Sequence, residues 1–418
     1  MRAWSAVTPE ARWALLTRAV QGLGALAAVA CVVRLYGVEL QGLFFSCLSL
    51  AALIQLGDFG VGYASLQMAG HLRAQGKPAV AAQLRRQARV RGGAWLLASA
   101  ACVGLCVAWA WPIGTAAPWR GAWAALVVAA LAQQWVQVEL AWLEGAHSVG
   151  LAWRLRCAQE LVGAAAFVGA LWAGAGLWSL AVYFGTRALL PLPWLQPATE
   201  PAGPDAGFRW ARDLWPFQWR IGASALSGFL VFQALNPLLL ASQGASAAAR
   251  FGIGLAVMNM LLLLCTAWPL SQAAPFVQLL SRGQRADVSA RLNRVLWPSL
   301  GLAAMLALTV WGLVAALLRG WPHLGERLPD LLTLALLLLA GLAHQATACL
   351  AVVLRAERLE PLLRVSVVGG VASLVLIAAV ARAASLSAVA GAHLVCTLAG
   401  LWIAHRHYRR LLQRLTPP

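Results

Sequence analysis

Twelve runs of roughly twenty apolar residues follow one another along the chain, near 13–33, 42–69, 92–112, 121–142, 157–174, 176–196, 217–240, 251–278, 295–318, 331–354, 363–381 and 385–404. A helix needs about 20 such residues to cross the ~30 Å hydrocarbon layer of a bilayer. Backbone inside that layer must bond to itself, so helices are the form these runs can take. Only 11% of the 418 residues are charged and 61% are hydrophobic, against about 25% and 45–50% in soluble chains. A soluble enzyme, a disordered chain and a disulfide scaffold are excluded on that ground. The expected fold class is an all-α polytopic membrane protein with about twelve transmembrane helices in two pseudo-symmetric six-helix lobes.

The formal net charge of +18 would suggest nucleic acid in a soluble protein. Its distribution says otherwise. Of the 32 basic residues, 26 fall at the termini and in the even-numbered loops. The second loop holds Arg73, Lys77, Arg85, Arg86, Arg89 and Arg91, and the tail holds Arg406, Arg409, Arg410 and Arg414. The odd loops hold six: Arg34, Arg120, Arg250, Arg319, Arg327 and Arg382. An asymmetry that alternates in step with the spans places both termini in the cytoplasm. The basic patches then read as topology signals and lipid-headgroup contacts, with no nucleic-acid partner. Residues 1–33 read as a retained first helix, because cleavage of a leader would break that alternation.

The chain divides at a Pro-rich polar stretch, 197–206, within the longest cytoplasmic loop. The expected organisation is an N-terminal lobe at 1–196, a cytoplasmic linker at 197–213 and a C-terminal lobe with a basic tail at 214–418. The halves share features at a spacing of about 208–211 residues, as a parallel repeat would. Gly76-Lys77-Pro78 through Leu84-Arg85-Arg86 corresponds to Gly283-Gln284-Arg285 through Leu292-Asn293-Arg294. Leu143-Glu144-Gly145-Ala146-His147 corresponds to Leu354-Arg355-Ala356-Glu357-Arg358.

Arg34-Leu35-Tyr36-Gly37, Gly42-Leu43-Phe44 and Gly57-Asp58-Phe59-Gly60-Val61-Gly62 resemble the N-terminal signature of polysaccharide flippases. These are the Wzx-type O-antigen and capsule translocases of the multidrug/oligosaccharidyl-lipid/polysaccharide exporter superfamily. Specific residues match over 10–95, and the topology is similar over most of the chain. The resemblance implies two six-helix lobes, cytoplasmic termini and residence in the bacterial inner membrane. It implies flipping of an undecaprenyl-pyrophosphate-linked oligosaccharide, an O-antigen or exopolysaccharide repeat unit, by alternating access. A coupling ion, H+ or Na+, would accompany it, and no cofactor is expected.

A lipid-linked pyrophosphate needs fixed cations, and arginine meets phosphate oxygens bidentately with a permanent charge. Arg18 and Arg220 stand near the start of the first helix of each half and are candidates for that task, or else snorkel to the headgroups. Asp58 lies between glycines late in the second span. It reads as an ion-coupling site, as the partner of a cavity arginine, or as a hydrogen-bond cap at a broken helix. Gln133 and Gln137, four residues apart, share one face of the fourth span, with Glu139 nearby. They would line a sugar-compatible cavity or bond between helices. Glu160 and Arg187 form a candidate ion pair. Asn236-Pro237, Pro269 and Pro275 are expected to break the seventh and eighth spans. His344, Gln345 and His393 are isolated polar residues, read first as packing residues rather than a proton relay.

The eight cysteines form no CxxC pair and no Cys/His cluster, and neither a P-loop nor an HExxH or GxSxG motif occurs. No catalytic or metal site is therefore expected. Three other functions remain open: a membrane-embedded O-antigen polymerase or ligase, a drug or cation exporter of the same superfamily, and a lipid II flippase. The short periplasmic loops disfavour the polymerase. The excess of 32 bases over 14 acids disfavours the cation exporter. Single-cysteine labelling should place 76–90, 197–206 and 406–418 in the cytoplasm, and 112–119 and 320–328 in the periplasm. Periplasmic labelling at position 200 would overturn the two-lobe scheme.

Overall fold

The computed structural model describes residues 9–110, 119–146, 149–195, 207–281, 284–356, 363–382 and 385–414. Among them the chain is helical throughout, with no strand. The first half contains α1 (Pro9–Leu35), α2 (Val38–Gln55), α3 (Val61–Ala74), α4 (Pro78–Ala110), α5 (Arg120–Ala146), α6 (Val149–Trp172) and α7 (Trp178–Leu189). A short 3-10 turn over Leu192–Trp194 and α8 (Trp210–Asp213) follow. Then come α9 (Trp215–Phe232), α10 (Leu235–Gln243), α11 (Ala245–Ser271), α12 (Ala273–Ser281), α13 (Arg285–Gly320), α14 (Leu331–Ala356), α15 (Leu363–Ala381) and α16 (Leu386–Arg414).

Eight segments are long and apolar enough to cross a membrane: those of α1, α2, α5, α9 with α10, α11, α13, α14 and α16. The other four expected passes are α4, α6, α7 and α15. Arg156, Gln159 and Glu160 dilute the apolar character of α6, and α15 carries a shorter apolar stretch over Ser366–Ala381. The pass expected at 176–196 holds a helix of only 12 residues, α7, ended by Pro191 and Pro193. The Arg-rich segment expected as an amphipathic loop is instead the first third of α4, which runs unbroken for 33 residues. That difference has a consequence below, because it holds Arg85 and Arg89 rigidly on a helix.

The repeated pattern is carried by helix boundaries. Val38, Ala74 and Pro78 have counterparts in Ala245, Ser281 and Arg285, all at an offset of 207 residues (38 to 245, 74 to 281, 78 to 285). In both copies the long pass is broken before a long helix with arginines in its first third.

Two compact units divide the chain. The first runs to Leu40 and resumes over Cys47–Leu226, and the second comprises Gln41–Ser46 and Ser227–Pro418. The second unit thus begins inside α9, while the Pro-rich stretch 197–206 lies outside the described residues. In the first unit α3, α4 and α5 close around Val61, Leu72, Leu84, Val138 and Trp142. Phe208, Trp210 and Leu214, just after that stretch, complete this core. In the second unit one core joins Leu239, Phe251, Met258, Leu337, Ile377 and Val389, and another joins Phe276, Leu292, Val353 and Tyr408.

The helix breaks obey a backbone accounting. Pro269 inside α11 has no N–H to give the carbonyl four residues earlier, that of Cys265. A carbonyl left bare at that depth would be costly. Gln345 Nε2 donates to it at 2.9 Å, and Ser299 Oγ donates to it at 3.3 Å. Gln345 also reaches Ser299 Oγ at 2.5 Å, so α11, α13 and α14 are tied at one point. The expected break of the eighth span follows at Gln272, and that of the seventh at Gln233 and Ala234, just ahead of Pro237.

Gln345→Leu should destabilise the protein by about 1–3 kcal/mol, the penalty of an unsatisfied buried group. In a Pro269→Ala background, where the substituted residue supplies the missing N–H, the same change at Gln345 should have a much smaller effect. Thermal unfolding of the two single variants and the double variant in detergent measures the coupling. Additive losses would show that the side chain does not serve the proline-freed carbonyl.

Candidate functional site

All six residues singled out for substrate contact belong to the first unit, where they occupy separate settings. Asp58 sits at the break between α2 and α3 and is 8% exposed. Its carboxylate accepts from the backbone N–H of Gly60 at 3.2 Å and of Gly62 at 2.7 Å. This is an N-cap for α3. The chain turns there through Phe59 (φ +48°) and Gly60 (φ +82°). Gly60 is required twice over: its φ is left-handed, and a Cβ would stand 3.0 Å from the carbonyl of Gln218. Phe59 stacks on Trp95 at 4.7 Å, and Gly222 of α9 lies flat against the same ring. No arginine pairs with Asp58 among the described contacts, so of its three readings the cap is the one the geometry carries.

Glu139, 5% exposed, lies between α5 and α4. Arg85 donates to it through Nη2 at 2.8 Å, and Arg89 through Nε at 2.5 Å and Nη2 at 2.9 Å. Two arginines four apart on one helix face therefore hold a single carboxylate. Arg85 also lies 5.9 Å from the Trp142 ring centroid. Gln137 is two residues away, a rotation of about 200°, and so faces another helix. Its Nε2 donates to Gln159 Oε1 on α6 at 3.2 Å. Gln133 is buried with its Oε1 unpartnered among the described residues. Gln137 thus makes the bond between helices that was one of its two readings, while Glu139 meets a different neighbour.

Gln159 leads into a second network. Its Nε2 donates to the backbone carbonyl of Arg187 on α7. Arg187 Nη2 donates to Glu160 Oε1 at 2.6 Å, and Nη1 to the Tyr183 hydroxyl at 3.0 Å. That hydroxyl donates to Glu160 Oε2 at 3.1 Å, closing a ring of three side chains. The expected Glu160–Arg187 pair is present. Nearby on α6, Arg156 bonds Glu144 and stacks 4.9 Å over Trp153. Arg18 on α1 is exposed, bonds Gln21 Oε1 at 3.5 Å, and lies within electrostatic reach of Glu160 and Arg156. Arg220 is exposed on α9, with its guanidinium 5.9 Å from the Trp219 ring.

Sequence reasoning missed Arg85, Arg89, Gln159 and Tyr183. The i, i+4 spacing of the two arginines was a usable signal once that segment is read as helix. Trp215, Trp219 and Trp321 are exposed and Trp119 is partly buried, as residues of a membrane interface are. Among the described residues, no three His, Cys, Asp or Glu side chains converge as a metal site.

No protein-family profile matches the chain. No curated protein sequence matches it either. Solved structures do match in fold. A Vibrio cholerae MATE transporter, VcmN, aligns with a TM-score of 0.63 at 16% identity, covering 97% of this chain and 96% of that one. An inward-facing multidrug resistance MATE family transporter of the MOP superfamily aligns at 0.62 and 13%, covering 98% and 95%. A MOP superfamily transporter from Pyrococcus furiosus, described as having a binding pocket of reverse polarity, aligns at 0.58 and 14%, covering 99% and 98%.

Arg187→Met should leave Glu160 buried without its counter-charge and lower stability by about 3–5 kcal/mol. Replacing Glu160 with Met as well should recover most of that loss, because no bare charge remains. Melting temperatures of detergent-purified variants decide it; a double variant no more stable than Arg187→Met would mean that the ring of hydrogen bonds, rather than charge balance, stabilises α6 against α7. Over nearly its whole length the chain has the fold of solved MATE transporters, and eight of its described segments are long and apolar enough to cross a membrane.

Proposed function

We propose that the chain is a transporter that flips an undecaprenyl-pyrophosphate-linked oligosaccharide across the bacterial inner membrane. The observation that carries this reading is the state of the acidic groups. In the first unit Glu139, Glu144, Glu160 and Asp213 are each bonded to arginine, and Asp58 is bonded to backbone amides. Glu39 stands at the start of α2. Arginines match or exceed carboxylates in both networks: Arg85 and Arg89 against Glu139, and Arg156 and Arg187 against Glu144 and Glu160, with the exposed Arg18 within electrostatic reach of Glu160. A surplus of fixed guanidinium charge suits a dianionic pyrophosphate and repels an organic cation. The shared fold supports transport as the activity and gives no support to an enzyme.

On this reading the termini are cytoplasmic, residues 1–196 and 214–418 form the working halves, and 197–213 joins them. Arg18 and Arg220 are the first cations the headgroup meets. Gln133, Gln137, Glu139 and Asp58 keep the helices around its path in register. A second reading, drug export, is favoured by the neighbours described as multidrug resistance transporters. The neighbour described as having reverse pocket polarity weighs the other way, since it carries the same fold.

Arg18→Ala with Arg220→Ala should reduce glycan export in a flippase-deficient host by about tenfold or more. That corresponds to the loss of one charge-assisted contact, about 1.5–3 kcal/mol. Arg→Lys at both positions should restore part of it, keeping charge without the bidentate fork. Protein levels in the membrane are the control. Unchanged export from the double alanine variant would make both residues interface anchors. Ethidium efflux without glycan export by the wild-type chain would favour drug export instead.

A further inference from the structure

The second unit holds two titratable side chains that nothing above uses. His393 on α16 is fully buried, and neither Nδ1 nor Nε2 has a hydrogen-bond partner among the described residues. A neutral imidazole carries one donor and one acceptor, so both of its polar atoms are left over. Buried polar groups are ordinarily satisfied, and each exception calls for an explanation. Gln345, one residue after His344 on α14, shows the ordinary case, with its amide committed to Cys265 and Ser299.

His393 also has a companion. Phe232, at the end of α9, lies 4.4 Å from the His344 ring centroid and 5.5 Å from that of His393. The interplanar angles are 71° and 83°, so both imidazoles stand nearly perpendicular to one phenyl ring. Both distances are within the range at which a cation is attracted by an aromatic ring. His344 is only partly buried by surface exposure, which gives the pair an open end, while His393 forms its closed end.

The surrounding charge is sparse. Arg355, further along α14, is within electrostatic reach of His344, and His344 is within reach of His393. The helices packed against α14 and α16, namely α11, α12, α13 and α15, present no charged group to the pair among the described residues. Nothing therefore pins either ring in its charged form. This differs from the first unit, where Glu139 and Glu160 are each locked by arginine.

We propose that His344 and His393, packed on Phe232, form a proton-binding site in the second unit whose loading drives the transport step. In chemical terms, a hydronium ion at the His344 end gives its proton to an imidazole nitrogen and leaves as water. The nitrogen gains an N–H bond, the ring becomes imidazolium, and no covalent bond of the chain changes. Like charges on the two rings would repel, so the pair takes one proton before two. The added charge, appearing between α9, α14 and α16, changes the packing energy of those three helices. This inference rests on the transporter reading, but its binding half stands without it.

Nitrogen NMR of histidine-labelled full-length protein in lipid nanodiscs tests binding directly, with no transported substrate present. Across about pH 3–8 the two rings should titrate in linked steps, and His344→Gln should move the His393 midpoint by about one pH unit. A His393 ring that keeps one protonation state over the whole range, or that titrates identically without His344, would overturn the proposal. The wild-type titration alone decides the first point, whatever the variants do to folding. In proteoliposomes, the ratio of glycan-lipid flipping with an imposed pH gradient to flipping without one reads the coupling, and His393→Gln should bring that ratio to one. Retained stimulation would overturn the coupling. Absence of any flipping by the wild-type chain would instead count against the proposed substrate, leaving the titration to judge the proton site.

Discussion

A span in hydrocarbon has no water to complete its hydrogen bonds, and the breaks in this chain are built around that condition. Where α2 gives way to α3, the carboxylate of Asp58 takes two amides that the turn releases. Where Pro269 removes a donor from α11, Gln345 and Ser299 come from two other helices to cover the exposed carbonyl. The polar residues scattered through the apolar runs are thus, in large part, the means by which helices can bend at all. A bend without such a partner would straighten or fail to insert.

The same condition governs the ion pairs. Moving a charged side chain to the centre of a helix in the bilayer costs about 2.5–3.5 kcal/mol on insertion scales. Each buried carboxylate of the first unit that pairs with arginine draws it from a neighbouring helix, and in doing so fixes which helices adjoin. Glu139 ties α5 to α4, and Glu160 ties α6 to α7. These contacts are weak evidence for added stability over an apolar core, but breaking one partner is costly. They act as register pins between neighbouring helices.

The helical class, the spans and the breaks at Pro237 and Pro269 were legible because each rests on local chemistry: run length, charge placement or a missing N–H. The Glu160–Arg187 pair was legible too, as two lone charges at the same depth of adjacent helices. Glu139 was seen without its partners, since Arg85 and Arg89 belong to a segment whose arginines suggested a headgroup loop. Only the continuity of α4, over 33 residues, lifts them to the level of that carboxylate. Of the two readings of the glutamine face, a bond between helices is present for Gln137, while Glu139, about 200° away around α5, meets α4 instead. Tertiary partners are invisible to spacing when three helices compete for one face.

The repeat and the division into units pull in different directions, and both follow from helix packing. The helix starts at 38 and 78 and the helix end at 74 recur 207 residues later, at 245, 285 and 281, as duplication of one unit would leave them. Yet the first unit retains Phe208, Trp210 and Leu214, and with them the start of α9, because these side chains fill the core between α3, α4 and α5. Gly222 presses on Phe59 from that same part of α9, at the turn where α2 breaks. A segment that begins one sequence half therefore serves as a wall of the preceding compact unit. Residues that touch this wall, rather than those nearest the Pro-rich stretch, are the ones that set how the start of α9 packs on the α2–α3 break.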